Sequence, residues 1–477
     1  MTQHMDSPPE TPQNHKSNNL QPIPPRLPRS TRISIGALLA LVGLLGVVLT
    51  AQLFAELSQH EAEAAQNTEA TTTAQLPLLP SPTIQSDDND LFQFSGKKAS
   101  QPLQVAGDQY AVYEAQDGLY AVQLSGGTPM KLDAPGYMYN LSITPQVTPV
   151  GQILYVGNEG IWLSNIFGGF SKQVESVASD QVVTSLILSR DGRSLAWSTV
   201  PKSGNGTVNI YEGLLGHGKL VYQRLNSNCP CYRAFSFLEG DKQQEPQQLL
   251  LTDDRGDPHA AQYGLWSLNL PSEEDPTLAE DPILLLGDDT SQMPLLITPN
   301  GGALLYSTYS GVVPAPTDNS VPGDIASQNN PNSLALATLG GQDKGLEKAQ
   351  VLLPEQHGLD NTAEYHWVMS PRLSTDGHTL VYAIFSSDDQ APFTRHSALY
   401  TTQVKTKGGQ VHAETPGVLA LTTARFVELG PWASEHVLTC YADNALYAMD
   451  VTTGAMQTVF KGSGYMRIVA TVERGPE

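Results

Sequence analysis

The chain has 477 residues, with 41 glycines, 34 prolines and only 16% charged side chains, a balance that favours turn-rich β structure over helical bundles. Acidic residues outnumber basic ones 48 to 26, for a net charge of -22, and a surface this acidic repels phosphate backbones, which argues against nucleic acid as a partner. The excess acidity itself reads as a solubility feature.

In chain order, residues 1–32 carry the proline-rich runs "SPPETP" and "QPIPPRLPR" and predict a disordered tail. Ile33–Ala55 follows as an apolar run of 23 residues without a charge. As a helix it reaches about 34 Å, enough to cross a hydrocarbon layer of about 30 Å. Arg26, Arg29 and Arg32 precede this run and Glu56, Glu61 and Glu63 follow it. The positive flank predicts a cytoplasmic N-terminus and an extracytoplasmic C-terminal region. The run is longer than the apolar region of a cleaved signal peptide, so a retained anchor is expected. Residues 56–95, rich in Ala, Thr, Gln, Pro and Asp, read as a linker, and 96–477 as the extracytoplasmic domain.

Beyond the linker two phrases alternate. One is a turn followed by an apolar strand: "TPVGQILYVG" at Thr148–Gly157, "LSRDGRSLAWST" at Leu188–Thr199, "ITPNGGALLYST" at Ile297–Thr308 and "LSTDGHTLVYAI" at Leu373–Ile384. Looser copies stand at Ala106–Ala115 and Ala433–Ala442. Asp-Gly and Asn-Gly accept the positive φ that tight turns need. Five residues beyond Gly192, Gly301 and Gly377 stand Trp197, Tyr306 and Tyr382, which predicts aromatic packing between neighbouring sheets. The other phrase is a short alternating strand, at Leu119–Gly127, Ile161–Gly169, Val208–Gly213, Leu265–Leu270, Leu334–Gly341, Leu399–Val404 and Leu446–Gly454.

Each pair of phrases makes a β-meander of about four strands, which cannot bury both faces alone. Radial packing of such units removes their open edges. The expected fold is therefore all-β: a β-propeller, seven blades by this count, with six or eight as alternatives, after a single N-terminal transmembrane helix. Long loops are expected at Gly311–Pro331 and Leu346–Glu364. "GYMRIVATV" at Gly464–Val472 is a leftover strand, placed to close the ring on its first blade.

The phrases at Leu188–Thr199 and Leu373–Ile384 resemble the S-x-D-G-x-x-[LI]-x-[FYW] repeat of TolB-like, WD-repeat-like propellers, over about three quarters of the chain. The resemblance implies a propeller that binds proteins or peptides, or serves beside a peptidase domain. The anchor replaces any amino-terminal TolB domain.

Chemistry is harder to find. There is no G-x-S-x-G elbow, no H-E-x-x-H, no P-loop, and no space for an attached hydrolase domain. His366 and His378 read as structural or exposed. The acidic runs at Thr252–Pro258, Ser272–Pro276 and Gly287–Ser291 read as solvated loops. Arg255–Asp257 spells RGD, a tripeptide short enough to arise by chance. Cys229 and Cys231, in "NCPCY", could chelate a metal, form a bridge, or simply sit in a proline-bent loop. No catalytic, cofactor-binding or metal-ligating residue is assigned, and no cofactor. The expectation is a non-enzymatic, membrane-anchored scaffold for a protein, peptide or envelope polymer. The alternative is a lyase or hydrolase with a site in the central channel, which would require carboxylates or histidines converging at inner-strand ends.

Overall fold

The computed structural model describes residues 91–96, 102–203, 207–225, 230–238, 248–255, 262–271, 278–287, 292–299, 301–308, 310–312, 323–326, 329–340, 346–355, 364–388, 395–424 and 426–475. The tail, the 33–55 segment and most of the linker lie outside them. Among the described residues no helix is long and apolar enough to cross a membrane.

β1 (Phe92–Phe94) begins the described chain. The first blade takes β2 (Gln109–Ala115), β3 (Gly118–Gln123) and β4 (Met130–Lys131). The second is β5 (Gln146–Val147), β6 (Gln152–Gly157), β7 (Gly160–Asn165) and β8 (Ser171–Ser176). The third is β9 (Gln181–Leu188), β10 (Ser194–Pro201), β11 (Thr207–Leu214) and β12 (Lys219–Leu225). The fourth is β13 (Tyr232–Leu238), β14 (Gln248–Asp253), β15 (Tyr263–Asn269) and β16 (Ile283–Leu286). The fifth joins β17 (Met293–Ile297) and β18 (Ala303–Ser307) to β21 (Leu334–Leu339) and β22 (Leu346–Leu353). Between them β19 (Ser310–Val312), the short helix α1 (Gly323–Ala326) and β20 (Asn329–Pro331) form an excursion, with β19 paired to β20.

The sixth blade runs β23 (Glu364–Leu373), β24 (Thr379–Asp388) and β25 (Arg395–Lys407), with β26 (Gln410–Ala413) folded onto β25 and β27 (Gly417–Thr422) beside it. β1 adds the outermost strand there, from within the stretch read as linker. The seventh is β28 (Val427–Trp432), β29 (Val437–Ala442), β30 (Ala445–Asp450) and β31 (Met456–Lys461). β32 (Arg467–Glu473) then pairs antiparallel with β2, so the last strand completes the first blade. The ring has seven blades, and the leftover strand closes it as the sequence implied.

First strands of neighbouring blades lie against one another: β5 on β9, β9 on β13, β23 on β28, β28 on β32 and β32 on β5. They are the inner strands, around the central channel that a propeller encloses. The apolar phrase after each turn is the second strand of its blade, and all seven alternating phrases are third strands. One expected loop is corrected: Leu346–Leu353 is a strand, the outer one of blade five, because its backbone pairs with β21.

The repeated turn joins first and second strands, and its chemistry is local. Gly192, Gly301, Gly377 and Gly151 sit at φ between 67° and 77°. Each donates its N–H to the carbonyl three residues back, on Ser189, Thr298, Ser374 or Thr148. The hydroxyl of that residue accepts the N–H that starts the next strand: Ser194 on Ser189 at 2.8 Å, Ala303 on Thr298 at 2.9 Å, Thr379 on Ser374 at 2.8 Å and Gln152 on Thr148 at 3.1 Å. Backbone groups at the strand junction are thus satisfied without a long loop.

The fixed aromatics pack between blades, within them, or, for Trp197, both. Trp197 packs with Leu154, Ile161 and Leu163 of the preceding blade, and Tyr306 with Leu250 and Leu265. Within their own blades Trp197 stacks on its cross-strand partner Tyr211 at 4.9 Å, and Tyr382 on Tyr400 at 5.7 Å. Polar groups also join blades, since Ser185 on β9 accepts the Ala234 N–H of β13 at 2.9 Å.

Candidate functional site at the channel mouth

Four inner-strand or near-inner charges converge where the ring closes. Arg467 opens β32, and Glu114, its register partner, lies next to the last residue of β2. Their side chains form an ion pair in which Glu114 is fully buried. Tyr137 donates its hydroxyl to the other carboxylate oxygen of Glu114. Arg467 also donates to three carbonyls of the link between blades one and two: Leu141 at 2.5 Å, Asn140 at 3.3 Å and Ile143 at 3.4 Å. One guanidinium therefore fixes both a buried carboxylate and the path of residues 140–143. Burial pushes the Glu114 carboxyl up, opposed by Arg467 and Tyr137. Burial pulls Arg467 down, but the facing carboxylate more than offsets it and the net direction is up.

Glu428 on β28 and Arg372 on β23 continue this cluster. Tyr465, just before β32, donates its hydroxyl to Glu428, and Ser370 also bonds that carboxyl. Burial raises the Glu428 carboxyl, against the pull of Tyr465, Arg467, Arg372 and Ser370. Arg372 donates Nε–H to the Leu429 carbonyl at 3.1 Å. Glu428 and Arg372 are only half-buried, although their elements lie on the inner face. The local cause is a break in β23, where pairing with β24 skips from Met369 to Arg372. Ser370 there has φ 41°, and Pro371 follows it. A residue before proline is normally extended, so this bulge is strained.

On the same side of the ring a cleft of about 530 Å³ opens between blades two and three. Tyr137–Ile143 form one wall, Val156–Asn158 and Gly160 the next, and Val177–Ser179, Gln181–Val183 and Lys202 the far side. Its lining carries amides, hydroxyls and two tyrosines, and one formal charge, on Lys202. The Tyr137 wall is the segment that Arg467 and Glu114 hold. Tyr139 couples electrostatically to both Tyr137 and Tyr465, which joins the cleft to the charged cluster.

A second buried knot lies in blade four. Cys231, Asp253 and Asp254 bring one ligand atom each to within 4.8 Å. Asp253 accepts the N–H groups of Cys231 at 2.7 Å and Arg255 at 2.8 Å, and Asp254 binds Arg233 Nε at 2.8 Å. Cys231 is disulfide-bonded and Cys440 is free and buried, while Cys229 lies outside the described residues. Both carboxylates already hold backbone or guanidinium partners, and a bridged sulfur is no thiolate ligand, so the knot is structural. The reading of Thr252–Pro258 as a solvated loop is corrected at its start: Thr252, Asp253 and Asp254 are buried by these bonds. Ser272–Pro276 and Asp288–Ser291 lie outside the described residues, as do Gly256 and Asp257. His378 is exposed in its turn, and the side chain of His366 is not described.

Sequence reasoning singled out none of Glu114, Arg372, Glu428, Arg467, Tyr137 or Tyr465. The one available signal was a charge on an otherwise apolar inner strand, as in "FVELGPW" and "YMRIVATV". One carboxylate, Glu428, stands near an inner-strand end, and Glu114 joins it from the second strand β2, which meets in part the arrangement that the enzymatic alternative required.

No family model and no curated protein matches the chain. Solved structures of similar fold include a periplasmic gluconolactonase of Pseudomonas aeruginosa, at 15% identity and TM-score 0.44 over 76% of this chain and 99% of that one. An oligogalacturonate lyase in complex with manganese gives 10% identity and TM-score 0.33 over 75% of each chain. A TolB-like structure from Agrobacterium tumefaciens gives 12% identity and TM-score 0.33 over 76% of this chain and 99% of that one. The expectation of a non-enzyme is corrected: solved structures of similar fold include a gluconolactonase and an oligogalacturonate lyase. A channel site draws its residues from distant strands, so no linear motif need mark it.

Proposed function

We propose that the chain is a membrane-tethered, extracytoplasmic propeller that takes a segment of an envelope peptide or polymer in the cleft at its channel mouth. The observation that carries this is the clamped wall: Arg467 holds three carbonyls of residues 140–143 and Glu114 holds Tyr137, so the cleft is preformed. Tyrosine rings and neutral amides along it suit an extended ligand with many hydrogen-bonding groups. The Ile33–Ala55 run supports the tether, and a disulfide at Cys231 suits an oxidising, extracytoplasmic setting.

A photo-crosslinking residue at Asn158, exposed on the cleft wall, tests the reading in intact cells. It should give an envelope-derived adduct that the same residue at Lys172, on an outer strand, does not give. Equal adducts at both positions, or none at Asn158, would overturn it. Membrane fractionation of the full chain tests the tether, and recovery in the cytosol would refute it.

A second reading is favoured by one observation, the half-buried Glu428 with a raised carboxyl beside Arg372. A carboxyl that burial shifts toward its protonated form is a general-acid candidate. Turnover of a cleft ligand that is lost in Glu428→Gln with binding retained would establish it.

A further inference from the structure

Arg372 uses only part of its guanidinium. Its Nε–H is taken by the Leu429 carbonyl at 3.1 Å, and among the described residues no acceptor is recorded for the Nη edge. The carboxyl nearest to it, on Glu428, is bonded instead by Tyr465 and Ser370. The side chain stays half-buried on an inner strand, so this planar edge is neither covered by the core nor spent on an ion pair. The strained Ser370-Pro371 bulge shifts the register just ahead of Arg372, which pairs with Val381, and strain is retained where the surroundings over-determine it.

We propose that Arg372 and Glu428, the latter positioned by Tyr465, form an oxyanion subsite on the inner face of the ring, which takes a carboxylate group of the ligand. A guanidinium edge offers two parallel N–H donors to a planar oxyanion, a fit that an ammonium lacks. The cluster holds two guanidiniums, Arg372 and Arg467, and two carboxyls, Glu114 and Glu428, of which Glu114 is spent on Arg467. When Glu428 carries its proton, one positive charge is left over and the acid adds a donor. A monoanion balances that charge, whereas a phosphate dianion would overshoot it beside Glu428. The subsite extends the channel-mouth reading inward through Tyr139, and it rests on that reading only for the rest of the ligand.

Binding therefore weakens as pH rises through the raised Glu428 value, because the deprotonated acid repels the anion. The groups that face Glu428 are Ser370 and Arg372 of β23, its register partner Tyr441 of β29, Tyr465 ahead of β32, Arg467 of β32 and Glu114 of β2.

The test uses the full chain in detergent micelles, titrated calorimetrically with sodium acetate and with inorganic phosphate at constant ionic strength. Acetate should bind saturably and more tightly than phosphate. Arg372→Lys, which keeps the charge and loses the fork, should weaken it at least tenfold. Glu428→Gln should keep binding and lose its pH dependence, and it serves if the lysine variant fails to fold. Tighter binding of phosphate, no saturable binding of acetate, or unchanged affinity in a folded Arg372→Lys overturns the subsite. If acetate binds as expected while Asn158 captures nothing, the cleft reading falls and the subsite stands. If Asn158 captures its adduct while acetate does not bind, the reverse holds.

Discussion

Arg467 and Glu114 are 353 residues apart in sequence, yet they are cross-strand partners and ion-pair inside the ring. The pair sits on the closure seam, and through Arg467 the same bond orders the cleft wall. Removing one member leaves the other charge buried. Arg467→Ala should cost about 3–5 kcal/mol of stability, whereas replacing both partners with apolar side chains should cost less than the single change. Chemical denaturation checks this. A single variant within about 1 kcal/mol of the parent would show that the seam holds without it.

The half-buried Glu428 makes a pH prediction. Burial raises its carboxyl above the ordinary value of 4.5, so the folded chain binds that proton more tightly than the unfolded one. Its contribution is neutral below the ordinary value and becomes increasingly unfavourable as pH rises through the shifted value. Glu428→Gln should flatten that loss, giving a melting profile that falls less as pH rises above the ordinary carboxyl value. Superimposable profiles for the two proteins would show that the carboxyl titrates normally.

The repeated turn gives a third. Gly192 has φ 74°, and a Cβ there would lie 2.5 Å from Pro149 Cδ in the neighbouring blade's turn. Gly192→Ala should therefore destabilise by about 1–3 kcal/mol from backbone strain, with the clash added. Ser189→Ala should cost about 1 kcal/mol by orphaning the Ser194 N–H. If Gly192→Ala melted with the parent, the turn geometry would be wrong.

Tyr382 gives a fourth. It is 1% exposed and stacks on Tyr400, so Tyr382→Ala should cost about 3–5 kcal/mol. An unchanged melting temperature would contradict its place in the blade core.

The turns and strands were legible because their causes are local. Ser189, Asp191 and Gly192 bond to each other and to Ser194 within six residues, so the phrase carries its own fold. Blade four escaped the turn pattern since no Asp-Gly or Asn-Gly precedes β14, although its third strand Leu265–Leu270 was found. The strand Leu346–Leu353 leaves little trace in the sequence because Lys348 and Gln350 break its apolar run. The site was not legible for a different reason. Glu114, Arg372, Glu428 and Arg467 come from four strands of three blades, and only closure by β32 brings them together. Arg372 in particular is aimed by the bulge at Ser370-Pro371, and a bulge leaves no periodic signature.

Closure is thus the claim on which the site depends, and a pair of cysteines tests it most directly. Gln109 of β2 and Glu473 of β32 are register partners near the surface. With Gln109→Cys and Glu473→Cys, mild oxidation should form an intrachain bridge as readily as a control pair at Gln152 and Asn165 in the β6–β7 hairpin. The bridged protein should also melt at a higher temperature. A control pair that links while the seam pair stays reduced would contradict a ring closed by its last strand.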